Sequence, residues 1–168
     1  MEKTSVLITG GMGFIGSRLA KTLSTDSQYA ATLLDTREVP PPHGNQIVHG
    51  DIADADTWKR ITTPSDFVVH CAAFTSAVES ERDPSSSYRT NVEGTQRVAE
   101  YAQRNGARVI FCSTIRVYHP DSLSDQMEHD GKVNESCGLV EPSHHDQPPF
   151  AHHKRMAEDI LREVDTQT

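Results

Sequence analysis

Three glycines stand at three-residue spacing in Thr9-Gly10-Gly11-Met12-Gly13-Phe14-Ile15-Gly16, directly after the apolar run Val6-Leu7-Ile8. Set between a strand and a helix, that spacing suits a dinucleotide pyrophosphate. Gly10 permits the tight turn, Gly13 lets the backbone approach the phosphates, and Gly16 lets the helix pack close to the strand. Phe14 and Ile15, between the last two glycines, count with them as cofactor-binding residues. The helix start points unpaired N–H groups and a positive dipole end at the anion. Asp35 follows nineteen residues after Gly16, at the end of a second apolar run, Ala31-Thr32-Leu33-Leu34. There a carboxylate would accept hydrogen bonds from the adenosine ribose and repel a 2′-phosphate, favouring NAD over NADP. Arg37 is close enough to soften that preference.

These residues need a scaffold, and the hydropathy pattern supplies one. It predicts strands near 4–9, 31–35, 46–49, 66–70 and 108–113, alternating with helices near 14–24, 53–61, 86–104 and 150–164. Alternating β and α segments imply an α/β fold, a doubly wound parallel sheet with helices on both faces. Apolar residues recur at helical spacing as Ile15, Leu19 and Leu23, as Tyr88 and Val92, as Val98 and Ala102, and as Met156, Ile160 and Val164. Pro40-Pro41-Pro42-His43-Gly44, Asn105-Gly106 and Pro148-Pro149 separate the elements. Residues 119–149 are polar and rich in Pro, His, Asp and Ser, which predicts a long functional or disordered loop. No internal repeat or interdomain linker interrupts residues 1–168, so the pattern reads as one dinucleotide-binding domain.

Composition narrows the classes further. A 168-residue chain can bury a real core. A net charge of −8 argues against nucleic acid or a membrane surface as partner. No apolar run is long enough to span a bilayer, and the N-terminus runs straight into the first strand without an export signal. Cys71, Cys112 and Cys137 are too few and too odd for a disulfide framework and suit a reducing, cytoplasmic setting. His144, His145, Asp146, His152 and His153 lack the spacing of a chelating pair, so no metal is expected.

Further motifs follow in order: Gly50-Asp51-Ile52, His70-Cys71-Ala72-Ala73, Asn91-Val92-x-Gly94-Thr95, Cys112-Ser113-Thr114-x-x-Val117-Tyr118, and Lys154 with Ala157-Glu158 behind it. With the Thr9-Gly10-x-x-Gly13-x-x-Gly16 turn, the chain resembles the extended short-chain dehydrogenase/reductases, the NAD-dependent nucleotide-sugar epimerase/dehydratase group. The resemblance implies a Rossmann-type domain, NAD as cofactor, and a nucleotide sugar or related small molecule as substrate. It also implies a homodimer built on the helices near 86–104 and 150–164. Asp51, with Ile52 beside it, takes the position that contacts adenine; a helix cap is the alternative for Asp51. Ala72 and Ala73 let the cofactor lie close, or simply pack. Asn91 matches the Asn that organises backbone near the active site, against an ordinary exposed helix residue.

The resemblance also implies a catalytic set, and here the chain departs from it. The family moves hydride with a Tyr-x-x-x-Lys pair and a Ser or Thr that holds the substrate oxygen. Thr114 matches the hydroxyl residue and Lys154 the lysine, which also binds the nicotinamide ribose. The tyrosine position is Phe150, which has no ionisable oxygen and cannot pass a proton. Hydride transfer is therefore expected to be impaired. Phe150 is compatible with an engineered exchange, with a binding module that lost catalysis, or with another proton carrier: Tyr118, His152 or His153. His119 replaces the usual glycine after Val-Tyr, and Ala151-His152-His153 replace the usual small residues. Family enzymes are longer, because a C-terminal region builds the sugar-binding lobe. That lobe is largely absent here, which leaves open a piece of an enzyme, a stand-alone NAD-binding or sensing module, or a subunit completed by a partner chain.

Overall fold

The computed structural model describes residues 2–38, 40–41, 44–141 and 148–165. Five strands form one sheet: β1 (Thr4–Thr9), β2 (Tyr29–Asp35), β3 (Gln46–His49), β4 (Phe67–His70) and β5 (Arg108–Phe111). Their order is β3-β2-β1-β4-β5, and every pairing is parallel. The chain winds outward from β1 in both directions, so the topological switch lies between β1 and β4, where such sheets bind ligands. Register aligns the strand ends. Thr9 pairs with Leu34 and His70, and His70 pairs with Phe111.

The helices are α1 (Phe14–Ser24), α2 (Ala55–Lys59), α3 (Ala77–Arg82), α4 (Pro84–Tyr88), α5 (Gly94–Asn105), α6 (Pro120–Asp130) and α7 (Pro149–Asp165). Because side chains alternate across a strand, the sheet makes two cores. Val6, Ile8, Leu33 and Val69 pack with Ala20 of α1 on one face. Leu7, Leu34 and Val68 pack with Ile52, Trp58, Val98 and Tyr101 on the other. None of the helices among the described residues is long and apolar enough to cross a membrane.

The departures from the sequence reading have local causes. The helix expected near 86–104 is α4, a π-helical turn (Arg89–Glu93) and α5 in succession. Helix α3 was not expected; Ser76 caps it by accepting from the Glu79 amide, a capping signature that sits outside any apolar stripe. The 119–149 stretch is not simply a loop. It holds α6, opened by His119-Pro120 and closed by Gly131 at φ 65°. Segment 138–140 then folds back on 117–119, with His119 N donating to Gly138 O (2.7 Å) and Val140 N to Val117 O (2.8 Å). Two stripes face the core only in part, with Leu19 and Leu23 of α1 packed against it. Ile15 is 54% exposed, and α1 instead buries Gly16 and Ala20. On α7 the fully buried positions are Ala151 and Ala157, while Met156, Ile160 and Val164 are half-buried.

A buried polar chain locks the switch point. Ala72 N donates to Thr9 Oγ1 (3.3 Å), which lies 2.6 Å from His70 Nδ1. His70 Nε2 lies 3.0 Å from Thr95 Oγ1, and that hydroxyl donates to Asn91 O (2.6 Å). With both hydroxyl protons so directed, His70 is the neutral tautomer with its proton on Nε2. Burial, with a smaller push from Lys154, lowers the His70 pKa from 6.5 to about 3. Between those values the unfolded chain binds a proton that the folded chain refuses. Stability is therefore full above about pH 6.5 and falls with acidification, by up to about 1.4 kcal/mol per pH unit. His153, also lowered by burial, adds in the same direction. Urea titrations should show His70→Gln flattening the loss of stability between pH 6 and 4 by about one proton. An unchanged slope would contradict the assignment.

Candidate functional site

The strand C-termini converge on the glycine turn. Gly10 has φ 66°, and a Cβ there would stand 2.7 Å from Ala72 N. A Cβ on Gly16 would meet Gly10 O at 2.4 Å, so Gly16 is what lets α1 start directly on the turn. Gly13 differs. Its Cβ would be 3.0 Å from Gly10 O, 3.9 Å from Arg37 Nη2 and 4.0 Å from Gly10 C. Gly13 is also the N-cap of α1 in extended conformation, and no side chain caps that end. The first-turn amides are thus free of the usual side-chain acceptor. Phe14 (75% exposed) and Ile15 flank the opening, and the Arg18 guanidinium lies over the Phe14 ring (3.7 Å) while donating to Phe14 O. An uncapped helix start with a small-residue floor is a fit for a diphosphate.

Asp35 is buried at the end of β2 beside this turn. Its Oδ1 accepts from Arg37 N (3.1 Å) and Arg37 Nε (3.1 Å). Its Oδ2 accepts from Met12 N (2.9 Å) and Arg37 Nη2 (3.3 Å). Burial alone would raise the carboxyl, but the Arg37 and Met12 hydrogen bonds outweigh it and hold the pKa below its usual value. All four lone-pair positions of the carboxylate are occupied. A ribose diol can reach it only by displacing the half-exposed Arg37 side chain.

The remaining cofactor candidates sit along the same edge. Asp51 is not the cap of α2; Asp54 is, accepting from Asp56 N. Asp51 instead accepts from Ala53 N (2.8 Å) and pairs with Arg89. The Ile52 side chain is in the core against Gly94, and its carbonyl accepts from the Trp58 indole (2.7 Å). Ala72 forms the wall behind Gly10, and Ala73 follows it half-buried. Asn91 is not an exposed helix residue. It is 2% exposed, accepts from Phe74 N (2.9 Å) and donates to Phe74 O (3.0 Å), clamping the loop after β4.

At the other end lies the set expected to do chemistry. Thr114 follows β5 and caps a 3₁₀ turn (Ile115–Val117), accepting from Arg116 N. Phe150 is buried in the first turn of α7, its amide donating to Ser80 Oγ (3.2 Å). Lys154 is one turn further on and 3% exposed. Its Nζ donates to Cys112 O (2.7 Å) and lies 3.9 Å from the Phe111 ring centroid. Burial lowers its pKa from 10.5 to about 8, against opposing pulls from Cys112, Glu158 and Cys71. Of the alternative proton carriers, Tyr118 bridges to Leu139, and burial with nearby Glu135 and Glu158 raises its pKa, which keeps the phenol protonated. His153 Nδ1 is 2.9 Å from Ser87 Oγ, and its ring meets Tyr88 edge-on. Both ring nitrogens of His152 are buried without a partner among the described residues. His144, His145 and Asp146 lie outside the described residues.

Sequence reasoning missed three participants. Ser80 seats the start of α7, Ser87 holds His153, and Glu158 accepts from Ser113 Oγ (2.5 Å), joining α7 to the end of β5. Only Glu158 carried any signal, as part of the Ala157-Glu158 pair. Serines that bridge elements distant in sequence leave no periodic trace.

The glycine geometry separates folding from binding. Gly16→Ala should cost about 1–3 kcal/mol by forced overpacking. Gly13→Val should keep most of the stability yet abolish dinucleotide binding. Urea denaturation and calorimetric titration read the two effects, and unimpaired binding by Gly13→Val would refute the cradle. Arg37→Ala frees the Asp35 oxygens and should tighten NAD binding about threefold to tenfold, the value of one or two competing hydrogen bonds. Weaker binding would show that Arg37 contacts the nucleotide itself.

Comparison with known proteins agrees with this geometry. Residues 6–168 match the NAD dependent epimerase/dehydratase family. The chain is 37% identical over 122 residues to the dTDP-glucose 4,6-dehydratase of Mycolicibacterium smegmatis, covering 67% of this chain and 37% of that protein. It superposes on the UDP-glucose 4-epimerase of Brucella ovis, solved with NAD, with a TM-score of 0.76 at 28% identity, covering 97% of this chain and 48% of that one. The UDP-Glc/GlcNAc 4-epimerase of Campylobacter jejuni shares the fold, with a TM-score of 0.82 at 22% identity over 98% of this chain and 50% of that one. The chain thus spans under two-fifths of the dehydratase and about half of the solved epimerases. It belongs to the NAD dependent epimerase/dehydratase family, one of the extended short-chain dehydrogenase/reductases whose cofactor is NAD.

Proposed function

We propose that residues 1–168 form a domain that binds NAD as nucleotide-sugar epimerases and dehydratases do, but that transfers hydride poorly because of Phe150. The observation that carries this reading is Phe150 itself, buried one helical turn before Lys154 where the family places its proton-shuttling tyrosine. The solved relatives support a nucleotide-sugar partner, since MoeE5, 28% identical, was solved with UDP-glucose and NAD.

NAD, when bound, supplies the hydride acceptor; the chain's own groups position it. Gly10, Gly13, Phe14, Ile15 and Gly16 cradle the diphosphate, and Asp35 takes the adenosine ribose. Asp51 and the Ile52 backbone border the adenine end, while Ala72 and Ala73 leave room beneath the cofactor. Asn91 fixes the loop after β4 through Phe74, and Lys154 holds the nicotinamide ribose with its ammonium. Thr114 offers a hydroxyl to a substrate oxygen. Among the described residues around Phe150, no side chain is set to remove the substrate proton. Phe150 has no oxygen, Tyr118 stays protonated, and His153 is engaged with Ser87.

A second reading, a subunit completed by another chain, draws support from the sheet edge. Strand β5 has a neighbour on one side only among the described residues, and Ile110 on it is 55% exposed. A groove of about 830 Å³ beside it is lined by Ile110, Phe111, Leu161 and Val164. The homodimer implied by the family would use the outer faces of α5 and α7, which light scattering at high protein concentration tests.

The 168-residue chain should bind NAD in calorimetry yet show no turnover of UDP-glucose. With a substrate lobe supplied, Phe150→Tyr should raise the rate by about two to four orders of magnitude. Ordinary turnover with Phe150 in place would overturn this reading. The Lys154 ammonium adds a pH signature. Its folded pKa of about 8 means the charge is full below that value and lost as pH rises through it. NAD affinity should therefore fall between pH 7 and 9, and that fall should be absent in Lys154→Arg, whose charge does not titrate.

A further inference from the structure

Cys71 and Cys112 directly follow the paired ends of β4 and β5, and their sulfurs are 3.5 Å apart. Neighbouring parallel strands at matched register hold Cα atoms within the span that a disulfide requires. Both side chains are half-buried rather than sealed. The third cysteine is separate: Cys137 is buried and donates to Gln126 Oε1 (3.0 Å). The pair also touches both halves of the proposed cofactor site. Cys71 N donates to Thr9 O (3.1 Å), and the next residue, Ala72, is the wall against Gly10. Cys112 O is the acceptor that seats Lys154 Nζ.

We propose that Cys71 and Cys112 are a redox-sensitive thiol pair that closes to a disulfide under a small-molecule disulfide oxidant, and that closure weakens NAD binding. The second half rests on the cofactor reading above. Cys112, next to the Lys154 ammonium, loses its proton to solvent and attacks one sulfur of the oxidant. The oxidant's S–S bond breaks, and one small thiolate leaves and takes up a proton. Cys71 then gives up its proton and attacks the Cys112 sulfur, expelling the second small thiol. Two protein thiols are oxidised to one disulfide, and one small disulfide is reduced to two thiols. Burial and the Cys112 hydrogen bond push the Cys71 pKa up to about 12, so it does not attack the oxidant first and reacts only once the Cys112 mixed disulfide is held against it. Drawing the sulfurs together pulls on the Cys112 segment, whose carbonyl seats Lys154, and on the Cys71 segment beside Ala72. Both side chains are half-buried, so a small thiol can reach the bond and reopen it.

The test uses the full chain equilibrated with oxidised glutathione. Peptide mapping of wild type and of Cys137→Ser should find the Cys71 peptide linked to the Cys112 peptide, and dithiothreitol should release it. Cys71→Ser and Cys112→Ser should show no such link; if either fails to fold, the wild-type map alone decides. Calorimetry should show NAD binding at least about fivefold weaker in the oxidised form, the lower range for coupled sites. Absence of the link, or glutathione retained as a mixed disulfide, overturns the pair. A link that leaves NAD affinity unchanged overturns the gating. A reduced chain that binds no NAD overturns both the cofactor reading and the gating, while the map still reports on the pair independently.

Discussion

The switch point between β1 and β4 depends on one buried histidine. His70 spans the gap between Thr9 on β1 and Thr95 on α5, and its neutral state lets two hydroxyls and two backbone groups satisfy one another in sequence. Each member left unpaired would cost about 1–3 kcal/mol in that setting. The chain therefore fixes more than local geometry. It sets where Ala72 sits, hence how closely Gly10 passes it, hence where α1 begins. Through Thr95 and Asn91 it also reaches Phe74, so the loop on the far side of the site is held by the same network. Strand pairing joins β1 to β4, and this network carries that tie on to α5 and to the loop after β4.

Charge is distributed differently at the two ends of the cleft. At the adenosine end, Asp35 is held ionised by Arg37 and the Met12 amide, a pair whose exposed half can move aside. At the other end, buried Lys154 donates to the Cys112 carbonyl and lies over the Phe111 ring. Desolvation outweighs the opposing pull of Glu158 and the thiols and brings its pKa down to about 8. An ammonium so placed gains most from a ligand that brings oxygen acceptors to it.

How much of this was legible in the sequence follows from the range of the interactions. Strand positions, the glycine turn, Asp35 and the Phe150–Lys154 spacing are local patterns, and they can be read from a few residues at a time. Ile15 shows the limit of periodicity: it falls on the apolar stripe of α1 but borders the open cradle, where a ligand rather than the core would cover it. Helix α3 was hidden because its stability comes from the Ser76 cap and from packing against α7, not from a stripe of its own. Helix α6 was hidden by a polar composition that resembles a loop, although Pro120 and Gly131 mark both its ends. The Asp35–Arg37 saturation was out of reach, since it depends on side-chain direction rather than residue identity.

The loss of one oxygen at residue 150 has a different meaning at each level of the structure. For folding it is nearly neutral: Phe150 is buried, its amide is satisfied by Ser80, and α7 keeps its place against α3, α4 and α5. For cofactor binding it is distant from the glycine cradle. For proton transfer it is decisive, because the neighbouring candidates are compromised for separate reasons. Tyr118 is shifted away from ionisation, His153 is tied to Ser87, and His152 is enclosed with no hydrogen-bonding path from its ring among the described residues. The proposed impairment thus rests on a single side chain, while Lys154, Thr114 and the glycine turn keep their places independently of it.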